Sequence, residues 1–286
     1  MKAASFDYFR AQGLDEAMRR IQEGGGVTKL MAGWQSLGPM LNLRLARPAA
    51  VVDVSGLQGF DQVFTEGDTV VLGAGLTHAA IADGLHPALS GHPMQQVAAG
   101  IAYRAIRTRG TLGGSLAHAD PAADWMVTLI ALGAELELRS PRGTRRTPLE
   151  GFMLAAYTTA LQADEIIAAI RVPTARAGRW GYFKFCRKPG EFAEASAAVW
   201  LEPDRPTRIA LGALDGAPLM LNELAERIDR DGPVATGAPA LAQAVHEALP
   251  GLDAIDQRLL TVCLQRALTQ AGLCQHSSPS PLENPR

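Results

Sequence analysis

The sequence predicts an α+β protein in three parts, and three patterns carry that prediction. Over residues 1–57, short apolar runs alternate with short amphipathic ones, the strand–helix–strand rhythm of a βαβ unit. From 58 to 175 the rhythm restarts and ends in an alternating hairpin and one more strand. From 176 to 275, three strand-like segments separated by short turns lead into a helical remainder.

In the first part, "GLDEAMRRIQ" (13–22) has the spacing of a short amphipathic helix and "VTKLMAG" (27–33) reads as a buried strand ending in glycine. "SLGPMLNLRL" (36–45) follows as a short helix and "AAVVDVSGL" (49–57) as another buried strand. In the second part, "DTVVLGAG" (68–75) is a strand, "LTHAAIADGL" (76–85) a helix, and a further helix is expected over about 122–132. "GAELELRSPRGTRRTPLEGF" (133–152) alternates strictly and breaks at Pro141-Arg142-Gly143, which predicts a hairpin. Its arginines, Arg139, Arg142, Arg145 and Arg146, fall on the turn and the solvated outer face. "EIIAAIRVP" (165–173) is the last strand of this part, and "TARAG" (174–178) reads as a linker. Beyond it, "WGYFKFCRK" (180–188), "EFAEASAAVWLE" (191–202) and "TRIALGAL" (207–214) predict a three-stranded antiparallel meander. Helices follow over 221–230, 238–248 and 253–273. The tail 276–286, rich in Ser and Pro and without periodicity, is expected to be disordered.

Composition narrows the function. Hydrophobic residues make up 47% and charged residues 20% of the 286, which suits a globular protein with a proper core. A formal net charge of -2 gives no electrostatic reason to bind nucleic acid or an anionic membrane. No apolar run approaches the roughly 20 residues that span a bilayer, and "MKAASFDYFR" lacks the apolar core of a signal peptide. Three scattered cysteines, Cys186, Cys263 and Cys274, suit a reducing cytoplasm. They are also fewer than the roughly four thiolates that a [2Fe–2S] cluster needs.

Two loops share a chemistry. "LMAGWQSLGP" (30–39) leaves a buried strand and enters a helix; "RGTLGGSLAHADP" (109–121) leads toward another. Glycines let backbone N–H groups approach a ligand with no Cβ in the way, and several such groups at a helix start make an anion nest suited to a pyrophosphate. Gln35, Ser36, Thr111 and Ser115 add hydrogen bonds without charge. On spacing alone each loop is equally an ordinary tight turn, since neither carries the Rossmann or Walker fingerprint. "GAGLTH" (73–78) comes nearest and reads as a strand-to-helix turn. Asp120 is placed as a helix N-cap with Pro121 at the first helical position. Asp124 suits either the first turn of the helix or a ligand hydrogen bond. His118, Asp120 and Asp124 match no zinc or iron spacing. His78, His86 and His92 read as surface or capping residues, and Cys186 as a buried structural thiol.

Taken together, "AGWQSLGPMLNLRLARPAAVVDV", "IRTRGTLGGSLAHADPAAD", "YTTALQADEII" and "FKFCRKPGEFAEASAAV" resemble, in order and separation, the medium FAD-binding subunits of the molybdenum hydroxylases. That is the family of aerobic carbon monoxide dehydrogenase and of the xanthine dehydrogenase flavin domain. The resemblance covers residues 1–275. It implies a vanillyl-alcohol-oxidase-type fold: FAD-binding subdomains over 1–57 and 58–175, and a C-terminal domain over 176–275 with a three-stranded antiparallel sheet and helices. It also implies a site. Ala32, Gly33, Trp34, Gln35 and Ser36 would form the first pyrophosphate loop, with Leu30 and Met31 at its strand end. Thr111, Gly113, Gly114 and Ser115 would belong to the second loop, with Ile101 and Ala102 lining the cofactor just before it. Asp124 would hold a polar group on the nucleotide side, and Leu161 would pack near the flavin. Lys184 would bring a positive charge to the ring, and Phe192 an aromatic side chain to its face.

The resemblance further implies a large partner subunit with the molybdenum cofactor, a small one with two [2Fe–2S] clusters, a dimer of heterotrimers, and an external electron acceptor. Two positions depart from the family pattern. Trp34 stands where members usually have a second glycine, and Ser115 where many have Asn. Trp34 would be costly if its backbone needs a positive φ. A stand-alone flavoprotein oxidase of the same fold, or an assembly subunit that has lost FAD with Trp34 filling the site, are the competing readings.

Overall fold

The computed structural model describes residues 2–175 and 178–273, so the tail and two residues of the expected linker lie outside the described residues. The first sheet is parallel, with Ala50–Asp53 between Asp7–Arg10 and Thr28–Met31. The helices Leu14–Glu23 and Leu37–Asn42 make the two crossovers. Leu14–Glu23 buries Ala17, Met18 and Ile21, one stripe at helical spacing, while Arg20 pairs with Glu16 at 3.0 Å on the outer side. The strand Asp7–Arg10 was not legible in the sequence. It has four residues, lies at the sheet edge and shows no apolar alternation.

The second sheet is antiparallel throughout, in the order Val63–Glu66, Thr69–Gly73, Ile166–Pro173, Glu135–Ser140, Gly143–Pro148. The predicted hairpin is its last pair, and its arginines lie outside as expected; Arg142 and Arg145 there ion-pair with Asp164 and Glu165. Ile166–Pro173 occupies the centre, which explains its near-continuous apolar run. The 92 residues between Gly73 and Ile166 carry the elements of interest here: the helices His78–Ala82, Pro93–Gly100, Arg104–Arg107, Leu112–His118 and Asp124–Ala131, besides the hairpin. Asp124–Ala131 is buried on every side, packed between the second sheet's core and the C-terminal sheet.

The C-terminal sheet is Arg179–Phe185, Ala195–Glu202, Arg205–Gly212 and Leu219–Met220, all antiparallel. It therefore has four strands, not three. The fourth has two residues, too short to show a period of two. The helices Asn222–Asp231, Ala238–Ala248 and Ala254–Gln270 cover it and form a second apolar cluster with it. Gly181 allows that approach, since a Cβ there would lie 1.8 Å from the carbonyl oxygen of Ala267.

The expected N-cap at Asp120 is also corrected. The helix begins at Asp124 with Ala123 as its N-cap, and Asp120 Oδ1 instead accepts the Ala122 N–H at 2.9 Å in a local turn. His92 does cap its helix, accepting from the Met94 N–H. His78 is not a surface residue: it is 6% exposed. Cys186, read as buried, lies half-buried just past the end of its strand.

Candidate functional site

After Met31 the chain leaves the parallel sheet through Ala32–Ser36 and enters the Leu37–Asn42 helix. Gly33 has no room for a side chain. A Cβ there would lie 2.1 Å from the Arg109 carbonyl oxygen and 2.9 Å from the Gly110 Cα, so this glycine is where the two loops touch. Trp34 has φ 65, in the left-handed region that costs an ordinary residue about 1–2 kcal/mol. Its indole lies against Gly38 at the start of the next helix and packs on the small cluster of Met31, Leu41 and Val51. Leu30 and Ala32 pack on the main core. Gln35 Nε2 donates to the Gly33 carbonyl oxygen at 3.0 Å. The backbone N–H groups of Gly33, Trp34, Gln35 and Ser36 find no acceptor among the described residues. The Ser36 side chain is exposed and makes no cap bond.

The second loop is built differently. Gly113 and Gly114 belong to the first turn of the Leu112–His118 helix rather than to a loop before a later one. Thr111 is the N-cap, its Oγ1 accepting from the Gly114 N–H at 3.1 Å. The Leu112 N–H donates to the Leu76 carbonyl at 2.9 Å and the Gly113 N–H to the Ala74 carbonyl at 2.8 Å. A Cβ on Gly113 would lie 2.5 Å from that of Ala74, so Gly113 is a packing glycine. What remains open is the exposed Gly114, the half-buried Ser115, whose hydroxyl has no partner among the described residues, and the Thr111 N–H. Behind this loop lies His78, its Nδ1 accepting from Trp125 Nε1 at 3.0 Å. Its ring stands against Gly110. Burial, with the Arg107 charge second, pushes its pKa down to about 4, so the ring is neutral.

A third group surrounds the turn at 100–102. Ala102 also has a positive φ, of 40. Arg107 Nη1 donates to the carbonyls of Ile101 at 2.8 Å and Ala102 at 2.9 Å, and Lys184 Nζ donates to that of Gly100 at 3.0 Å. Two cations thus hold three successive carbonyl oxygens. Lys184 also pairs with Asp124, Nζ to Oδ1 at 2.7 Å. Leu161 is half-buried on the main core. Phe192 is 66% exposed, in a loop whose Gly190 approaches the Tyr103 ring.

The structure therefore joins the first loop to the second through Gly33. It joins Ile101 and Ala102 to the second loop through Arg107, four residues before Thr111. It brings Lys184 and Asp124 to the same turn, while Leu161 and Phe192 make no hydrogen bond or ion pair with these groups. Sequence reasoning missed Arg107, His78, Trp125 and Tyr182, whose hydroxyl donates to Asp124. Only Tyr182 had a signal: two residues before Lys184 on a strand, it shares a face with it.

These residues fit a dinucleotide cofactor. Among the described residues, the first loop offers four unpartnered N–H groups beside the glycine where it meets the second loop, and the second adds a free hydroxyl beside bare backbone.

Comparison with known proteins agrees. Residues 4–175 match the family model of the FAD binding domain in molybdopterin dehydrogenase. The chain is 34% identical over 260 residues to the 6-hydroxypseudooxynicotine dehydrogenase complex subunit alpha of Paenarthrobacter nicotinovorans, spanning 89% of this chain and 87% of that one. It is 32% identical over 282 residues to the carbon monoxide dehydrogenase medium chain of Afipia carboxidovorans, spanning 95% and 98%. Its structure is similar to that of a chain of carbon monoxide dehydrogenase from Hydrogenophaga pseudoflava, with a TM-score of 0.84 and 28% identity over 96% of this chain and 100% of that one. Among the described residues no helix is long and apolar enough to cross a membrane. The chain belongs to the family of FAD-binding domains of molybdopterin dehydrogenases, and its cofactor is FAD.

Proposed function

We propose that this chain is the FAD-carrying electron-transfer subunit of a molybdenum hydroxylase. In this reading it accepts electrons from iron–sulfur clusters on a small partner subunit and delivers them to an external acceptor. A large partner would hold the molybdenum cofactor, and the assembly would be a cytoplasmic dimer of heterotrimers. The observation that carries the reading is the row of unpartnered N–H groups at Gly33–Ser36 beside the second loop. Relatives named as medium chains support the place in a complex, and three cysteines support clusters held elsewhere. The fold would divide as expected, into two FAD-binding subdomains of the vanillyl-alcohol-oxidase type and a C-terminal domain, and the family match ending at 175 favours that boundary.

Bound FAD would supply the redox chemistry, exchanging electrons one or two at a time. The protein's own work is to bind, orient and tune. Gly33–Ser36 would hold the pyrophosphate through backbone N–H groups, with Ser115 Oγ and the Thr111 N–H completing the ring of donors. Arg107 and Lys184 hold the 100–102 carbonyls through hydrogen bonds, and that turn would line the cofactor. Lys184 would bring positive charge toward the ring, moderated by Asp124. No side chain of the site needs to act as a general acid or base.

The test is a visible spectrum of the purified protein with and without added FAD, followed by acid release. The expected result is oxidised-flavin bands and free FAD in the supernatant. Flavin left in the acid pellet would favour a covalent oxidase, and a colourless chain that takes up no FAD would favour an assembly subunit.

A further inference from the structure

Two side chains converge on one buried carboxylate. Asp124 opens its helix, 8% exposed, and its Oδ1 accepts from the Tyr182 hydroxyl at 2.7 Å while Lys184 Nζ stands at 2.7 Å from the same oxygen. Tyr182 and Lys184 lie two apart on the strand Arg179–Phe185, so both point to the same side of the sheet. The C-terminal sheet thereby reaches into the FAD-binding region, with Lys184 held between Asp124 and the Gly100 carbonyl. Tyr182 is itself fixed, its backbone N–H donating to Gln270 Oε1 at 2.9 Å.

We propose that Tyr182 is a positioning residue that sets, through Asp124, how much of the Lys184 charge is felt at the flavin. The inference rests on the FAD reading given above. A carboxylate oxygen that holds two donors divides its charge between them. With the tyrosine in place, part of that charge is directed at the phenol, and the ammonium keeps a net positive field toward the 100–102 turn. Without it, the carboxylate is spent on Lys184 alone, and the pair approaches neutrality as seen from outside. Burial, with Asp124 second, raises the Tyr182 pKa well above 10, so the phenol stays a donor at every working pH.

Because FAD gains negative charge on reduction, the three residues should move its potential in a pattern of signs. Lys184→Gln removes the cation and lowers the potential, by about tenfold in the reduction equilibrium, or about 30 mV for a two-electron couple. Tyr182→Phe lowers it by a smaller factor. Asp124→Asn, which leaves the ammonium without its counter-charge, raises it. The experiment is a midpoint-potential titration of the FAD-loaded protein and these three variants against dyes of known potential. Opposite shifts for Tyr182→Phe and Asp124→Asn are the expected result. Shifts in one direction for all three, as general loosening would produce, or an unchanged potential in Tyr182→Phe, overturn this proposal alone. A wild-type protein that binds no FAD overturns the cofactor reading and this proposal with it.

Discussion

The two glycine-rich loops look alike in sequence and differ in what their backbones do. In the first, Gly33–Ser36 leave four N–H groups without acceptors among the described residues; in the second, those of Leu112, Gly113 and Gly114 are already engaged within the protein. The glycines differ in the same way. Gly33 admits the neighbouring loop and Gly113 admits Ala74, while only Gly114 presents bare backbone to solvent. A run of glycines therefore marks close approach, and the approaching group can be the protein itself. The first loop is the donor row and the second is the rigid wall beside it.

The sharpest way to break this arrangement is Gly33→Ala. Its Cβ would meet backbone rather than a movable side chain, so the loops must part; the cost should be about 3 kcal/mol, with FAD retention lost. Thermal unfolding and flavin stoichiometry measure both. Acid probes the wall from behind, at His78. The unfolded chain takes up a proton on this histidine below about 6.5 and the native state only near 4. Stability is therefore fully present above 6.5 and falls with pH across that window, by about 3 kcal/mol. Denaturant unfolding from pH 7 to 4 should show that slope, and a His78→Gln variant should show less of it.

Gly113→Ala should cost about 2 kcal/mol by pushing the Leu112–His118 helix off Ala74, and an added Ala74→Gly change should restore part of it. Thr111→Val, which removes the cap, should cost about 1 kcal/mol. Both should weaken FAD binding only as far as they loosen the wall. Trp34→Gly should change least. Relief of the left-handed backbone offsets the lost packing of the indole, so stability should move by less than about 1 kcal/mol and FAD should remain bound. FAD uptake by Trp34→Gly alone, and not by the wild type, would instead identify Trp34 as the group that blocks the site.

Much of this was legible because periodicity and turn chemistry are local. The hairpin over 133–152, the central strand at Ile166–Pro173 and the three C-terminal helices all follow from spacing. Asp7–Arg10, Val63–Glu66 and Leu219–Met220 did not, because short strands gain their identity from the neighbours they pair with. In the site, the positive φ feared at Trp34 is present, yet its indole turns onto Gly38, which no spacing reveals. Asp120 had the sequence signature of a cap but lost that role when the helix started four residues later. Arg107 gave no signal at all, since its partners are backbone carbonyls, which every residue carries.

The most direct measurement is a calorimetric comparison of FAD with riboflavin, which has the same ring but neither the pyrophosphate nor the adenosine, with adenosine alone as the control for the latter. If the N–H row at Gly33–Ser36 holds the pyrophosphate, FAD binds at least about a hundredfold more tightly, the worth of one or two charge-assisted hydrogen bonds. Equal affinity for the two would contradict it, and would place the binding energy at the ring instead.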